Sequence, residues 1–132
     1  MDKSKLLALA EEAARKAYSP YSNFCVGAAL YTKSGKIYTG TNIENGSFSL
    51  TCCAERVAFF KAVSDGEKEF SDIAIVGSKD DDFSKSCPPC GACRQVMSEF
   101  CSGDFRIHLS DKTYTLNSLL PESFEGVKGE KL

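Results

Sequence analysis

Polar and apolar positions repeat along this chain with two different periods. Leu6, Leu7, Ala10, Ala13, Ala14 and Ala17 recur at helical spacing with Lys, Glu and Arg between them, which predicts an amphipathic helix over about 4–18. Pro20 then stops it. The run FCVGAALYT at 24–32, the turn Lys33-Ser34-Gly35-Lys36 and the run IYTG predict a β-hairpin. An irregular polar stretch, TNIENGS, leads to a second helix over about 53–65, closed by Gly66. DIAIVG at 72–77 reads as a buried strand, KDDDFSKSCPPC as loop, and Gly91 to Cys101 as a third helix. Phe105 to Ser110 alternates as a strand, with Asp111-Lys112 turning into TYTL. This order predicts one α/β domain whose sheet is antiparallel at its start and parallel where helices cross over.

Composition narrows the picture. At 132 residues the chain has the commonest size for one domain, taken here as 1–132 with a loose tail from about 126. A net charge of -2 gives no basic footprint for nucleic acid or anionic lipid. No apolar run reaches the roughly 20 residues of a membrane span. Glu11, Glu12 and Arg15 fall where a signal peptide would stay apolar, so a cytoplasmic setting is expected. The seven cysteines are an odd set, which suits thiols that stay reduced or bind metal better than a disulfide framework.

Cys52-Cys53 and Cys87, Cys90, Cys93 both lie where a loop enters a helix. Helix N-termini carry unbonded N–H groups and positive potential, which favour the thiolates that zinc binds. CPPCGAC offers two overlapping pairs, Cys87 with Cys90 or Cys90 with Cys93. Spacing alone does not choose between them. Pro88-Pro89 holds the first pair extended whereas Gly91-Ala92 lets the second turn into the helix, which favours Cys90 and Cys93. Glu55, two residues after Cys53, can face the same site only if that site lies over the helix end, where a carboxylate can move protons. Arg56 shares the face of Cys53. Zinc with three thiolates totals -1, so Arg56 is expected to restore positive potential beside the sulfurs.

Cys53-Ala54-Glu55 and Pro89-Cys90-Gly91-Ala92-Cys93 resemble the zinc-dependent nucleoside deaminase signature. With Ser19-Pro20-Tyr21-Ser22, Phe24, Val26-Gly27-Ala28-Ala29, Asn42-Ile43-Glu44-Asn45 and Cys53-Ala54-Glu55-Arg56, the chain is similar to the short, homotetrameric cytidine deaminases from about residue 5 to 124. The resemblance implies a three-layer α/β/α sandwich with a mixed sheet of about five strands. It implies one zinc ion per subunit on Cys53, Cys90 and Cys93, with Glu55 as proton shuttle. Asn42 and Glu44 would hold the ribose, Phe24 would pack against the pyrimidine, Ala54 would also contact the substrate, and Phe124 would close a neighbouring subunit's pocket. The implied reaction is hydrolytic deamination of cytidine and deoxycytidine, in pyrimidine salvage. Phe48 stands where the family commonly has Tyr.

Other readings attach to the same residues. A structural zinc knuckle would take a fourth cysteine, and a redox pair would leave Cys53-Ala54-Glu55 unused. A deaminase of another aminopyrimidine nucleoside, such as blasticidin S, would keep the scaffold. Asn42, Glu44 and Asn45 would by themselves read as a solvated turn. His108 alternates with Ile107 and Leu109, so it points away from them and is not a ligand. Cys25 and Cys101 read as small buried hydrophobes.

Overall fold

The computed structural model describes residues 1–126, so all but the first residue of the expected loose tail lies outside the described residues. The first helix, α1, spans Lys3–Ala14 and is capped by the Asp2 side chain, which accepts from the Ser4 N–H. It ends four residues before the periodicity does. Tyr18 leaves it to pair with the segment after the hairpin, donating its N–H to Asn42 O (3.1 Å) and accepting from Glu44 N (2.8 Å). Two backbone hydrogen bonds to a neighbouring strand thus replace the last helical turn.

Strands β1 (Cys25–Thr32) and β2 (Ile37–Thr41) form the expected hairpin, with Gly35 at φ 93 in its turn. A 3-10 turn at Phe48–Leu50 precedes helix α2 (Ala54–Ser64). Strand β3 (Phe70–Ser78), helix α3 (Gly91–Phe100), strands β4 (Arg106–His108) and β5 (Thr113–Thr115) and a one-turn helix α4 (Leu116–Leu119) follow. The single sheet runs β2-β1-β3-β4-β5. Only β3 and β4 pair in parallel, joined across α3, and the other pairs are antiparallel. The short 3-10 turn and α4 have too few residues to leave a periodic signal in the sequence.

Strand alternation builds two cores. Ala28, Leu30, Ile73, Ile75 and Ile107 face α2 and α3, whereas Ala29, Ala74 and Val76 face Leu6, Ala10 and Ala14 of α1. The result is the three-layer α/β/α sandwich. Phe59 of α2 anchors the larger core, with ring centroids 5.0 Å from Phe70 and 6.1 Å from Phe105. Phe60, beside it in sequence, is exposed. No helix among the described residues is long and apolar enough to cross a membrane.

Two glycines let the helices sit close to the sheet. A Cβ on Gly27 would lie 1.9 Å from Ala10 O of α1, and one on Gly40 would lie 2.2 Å from Ala54 O and 2.7 Å from Ala58 N of α2. Both obstacles are backbone, which cannot swing aside. Gly40→Ala is therefore expected to cost about 1–3 kcal/mol by overpacking, and to lower activity as well, because it pushes on the helix turn that follows Cys53. Urea unfolding and steady-state rates on the same preparation check both; an unchanged midpoint would contradict the close approach.

Candidate active site

The two loop-to-helix junctions meet over the same end of the larger core. Cys53 is the N-cap of α2 and Cys90 the N-cap of α3, while Cys93 lies buried in the first turn of α3. Neither capping side chain bonds the helix, so both thiols are left to face each other. The sulfurs of Cys53, Cys90 and Cys93 all lie within 4.8 Å of one another, with Cys53 to Cys90 at 3.8 Å and Cys90 to Cys93 at 3.4 Å. Tetrahedral zinc with bonds of about 2.3 Å places its sulfurs roughly 3.8 Å apart. The donor set therefore fits zinc in both chemistry and spacing. Cys87 is not part of this cluster: its sulfur would lie 2.7 Å from a Cβ on Gly77, beside the Phe24 ring. The structure thus brings together Cys53, Cys90 and Cys93, the set the backbone argument favoured.

The electrostatics follow from that crowding. A hydrogen bond from the Cys93 thiol, with another from Arg56 Nη2 at 3.4 Å, holds Cys53 well below the ordinary thiol range as a thiolate. Cys93 is correspondingly pushed up. Arg56 sits where its spacing from Cys53 places it, and its Nε is buried without a partner among the described residues. Glu55 is 5% exposed, and burial raises its carboxyl to about 7. A carboxyl poised there can accept and return a proton near neutral pH. Burial also pushes the Cys87 thiol up to about 11.

The residues expected around a substrate are placed differently from one another. Ala54 is fully buried as the first residue of α2. Asn42 uses its whole amide on the backbone, Nδ2 donating to Phe24 O (2.8 Å) and Oδ1 accepting from Val26 N (2.9 Å). It thereby extends the pairing of β1 and sets the backbone that carries Phe24. Glu44 accepts from Tyr21 N (2.9 Å) and Ser22 N (3.1 Å) and from the Ser22 hydroxyl, whose hydrogen bond above all lowers its carboxyl. It is ionised and borders a cavity of about 260 Å³ lined also by Tyr21, Ser22, Phe48 and Thr51. Phe124 lies outside that cavity, 67% exposed.

No pattern in the sequence marks Arg94, Gln95 or Gly77. Arg94 donates to Pro89 O (2.8 Å) and Leu119 O (2.7 Å), and Gln95 Nε2 donates to Phe124 O (3.0 Å). Their carbonyl partners belong to residues of any type, so no sequence pattern could reveal them. Cys25, expected as a buried hydrophobe, is only half-buried, with its sulfur 3.2 Å from the Ser19 hydroxyl. Cys101 is buried as expected.

A family model for the cytidine and deoxycytidylate deaminase zinc-binding region matches residues 1–109. The cytidine deaminase of Sporosarcina psychrophila is 48% identical over 129 residues, covering 94% of this chain and 92% of that protein. The cytidine deaminase of Halalkalibacterium halodurans is 46% identical over 129 residues, covering 94% and 95%. A crystal structure of cytidine deaminase from Burkholderia pseudomallei superposes with a TM-score of 0.85 at 42% identity, covering 94% of this chain and all of that one.

Proposed function

From the premise that this chain belongs to the cytidine and deoxycytidylate deaminase family, we propose that it hydrolyses cytidine and deoxycytidine to uridine and deoxyuridine, releasing ammonia. The observation that carries the reading is the cluster of three cysteine sulfurs with a buried carboxyl, Glu55, in the first turn of the same helix end. Cys53, Cys90 and Cys93 would hold a zinc ion, which would supply a Lewis acid able to bring water into nucleophilic form near neutral pH. Glu55 takes one proton from the attacking water as the water oxygen adds to C4 of the pyrimidine. It passes that proton to N3, then takes the second proton from the hydroxyl added at C4 and gives it to the amino group, which leaves as ammonia while the C4 carbonyl forms. Arg56 steadies the negative charge on Cys53, offsetting a metal site that would otherwise carry a net -1.

Phe24 packs against the base, and the helix end at Ala54 bounds it. Asn42 and Glu44 serve the ribose, Asn42 chiefly by fixing the Phe24 backbone and Glu44 as an ionised acceptor for sugar hydroxyls. A carboxylate there also repels a 5′-phosphate, which favours nucleosides over nucleotides. The chain works as one domain in a homotetramer in the cytoplasm. Support for assembly comes from large apolar side chains left in solvent, Phe48 at 74% and Phe124 at 67%, with Tyr21, Ile43 and Leu50 also exposed. Phe124, which is not among the residues lining the cavity beside Glu44, closes the pocket of a neighbouring subunit.

The test is direct. Zinc-loaded protein offered cytidine, deoxycytidine, blasticidin S and deoxycytidylate should bleach the ultraviolet absorbance of the first two, with deoxycytidylate turned over far more slowly. Turnover of blasticidin S alone would transfer the reading to that substrate, and turnover of none would remove the catalytic reading.

A further inference from the structure

The first turn of α3 faces two ways. Cys90 and Cys93 turn their sulfurs toward the cluster they form with Cys53, and the next two residues reach outward to carbonyls. Arg94 donates Nε to Pro89 O at 2.8 Å and Nη1 to Leu119 O at 2.7 Å. Pro89 is fully buried, and its carbonyl belongs to the planar peptide that leads into Cys90. Holding that oxygen therefore sets the peptide plane from which the Cys90 side chain departs. Leu119 is the last residue of α4. Beyond it the chain has no regular structure as far as Phe124 and passes through Glu122 at φ 51. Gln95 holds the far end of this stretch by donating to Phe124 O at 3.0 Å.

We propose that Arg94 and Gln95 are positioning residues that join the metal-binding loop and the Phe124 segment into one mechanical unit. Arg94 orients Cys90 through the Pro89 carbonyl and ties α4 to the same helix turn. Gln95 fixes the backbone of Phe124, which leaves its ring projecting from the subunit in a set direction. Segment 120–124 is thus pinned at both ends to consecutive residues of the helix that carries two zinc ligands. The part that concerns Phe124 rests on its reading as a residue of a neighbouring pocket; the part that concerns Cys90 does not. A guanidinium can serve two carbonyls from one rigid plane, and a lysine ammonium is a point donor that cannot reproduce that fork.

The experiment compares Arg94→Lys, Arg94→Gln, Gln95→Ala and Phe124→Ala for zinc affinity against a chelating dye, for KM and kcat with cytidine, and for the absorption bands of the cobalt-substituted proteins. The cobalt bands report ligand geometry, which loss of stability elsewhere does not move. Both Arg94 variants should lose about 10–100-fold in zinc affinity, shift the cobalt bands and raise KM, with Lys giving no rescue. Gln95→Ala should keep wild-type zinc affinity and raise KM several-fold, as Phe124→Ala does, with no added effect when the two are combined. Wild-type zinc affinity and cobalt bands in Arg94→Lys would overturn the Arg94 half. An unchanged KM in Gln95→Ala, where Phe124→Ala raises it, would overturn the Gln95 half. An unchanged KM in Phe124→Ala itself overturns the pocket reading of Phe124 and the Gln95 half with it, while the zinc measurement still decides the Arg94 half.

Discussion

Glu55→Gln should leave zinc on the protein and reduce kcat by about 10²–10⁴-fold or more, since a general acid-base group that acts more than once in the cycle loses each contribution. Glutamine has the same shape and can keep a hydrogen bond, but it can neither take a proton nor give one back. The fold should not suffer. Burial raises the Glu55 carboxyl from 4.5 to about 7, so before metal binds the folded chain holds that proton more tightly than the unfolded one. The stability this lends is full below about 4.5 and fades as pH rises through about 7. Metal-free Glu55→Gln should accordingly show a flatter stability profile across that window. Zinc content, kcat and urea midpoints between pH 4 and 8 measure all three; a residual rate within tenfold of wild type would remove Glu55 from the proton path.

The second large effect is on stability, at the far side of the sheet. His108→Leu should destabilise the protein by about 3–5 kcal/mol, the cost of leaving a buried charged group without its partner. His108 Nε2 donates to Asp72 Oδ2 at 2.7 Å, with the two residues 5% and 2% exposed, and its Nδ1 shares a hydrogen bond with the Thr113 hydroxyl at 2.8 Å. One ring therefore links β3, β4 and β5. Burial pushes the Asp72 carboxyl up, but the hydrogen bonds from His108 and Ser71 and the charge of Arg106 outweigh it and leave it lowered. A lowered carboxyl contributes stability that is present above its unfolded value of 3.8 and is lost as pH falls through the folded one. Wild type should thus weaken in acid at and below that range, and His108→Leu should lose much of this dependence. The double variant Asp72→Leu/His108→Leu should recover part of the loss, because both partners are then apolar. Additive single effects in that cycle would show that the pair is not coupled. Zinc content should be unaffected throughout.

Residue by residue, legibility tracked the range of the interaction. Helix α2 and the hairpin follow from local periodicity and turn residues, and the structure reproduces them within a residue or two. The end of α1 does not, because what stops it is Asn42 O, 24 residues away from Tyr18. Strand alternation sets His108 apart from Ile107 and Leu109, yet nothing local points to Asp72, 36 positions earlier. Resemblance singles out Asn42 and Glu44, but their present partners are backbone groups of residues 21–26, which any residue supplies, and for Glu44 also the Ser22 hydroxyl.

By itself, then, the sequence determined the α/β class, the helix junctions that carry the cysteines and the one carboxylate spaced to lie over a helix end, since each follows from residue types a few positions apart. Tertiary structure decided what depends on two distant segments meeting. It excluded Cys87 from the sulfur cluster and seated it against Gly77 instead. It raised Glu55 by burying it, and it gave Arg94 two carbonyls 30 residues apart to hold. Three thiolates make a metal site only when α2 and α3 start at the same end of the sheet, and chain order alone leaves that position open.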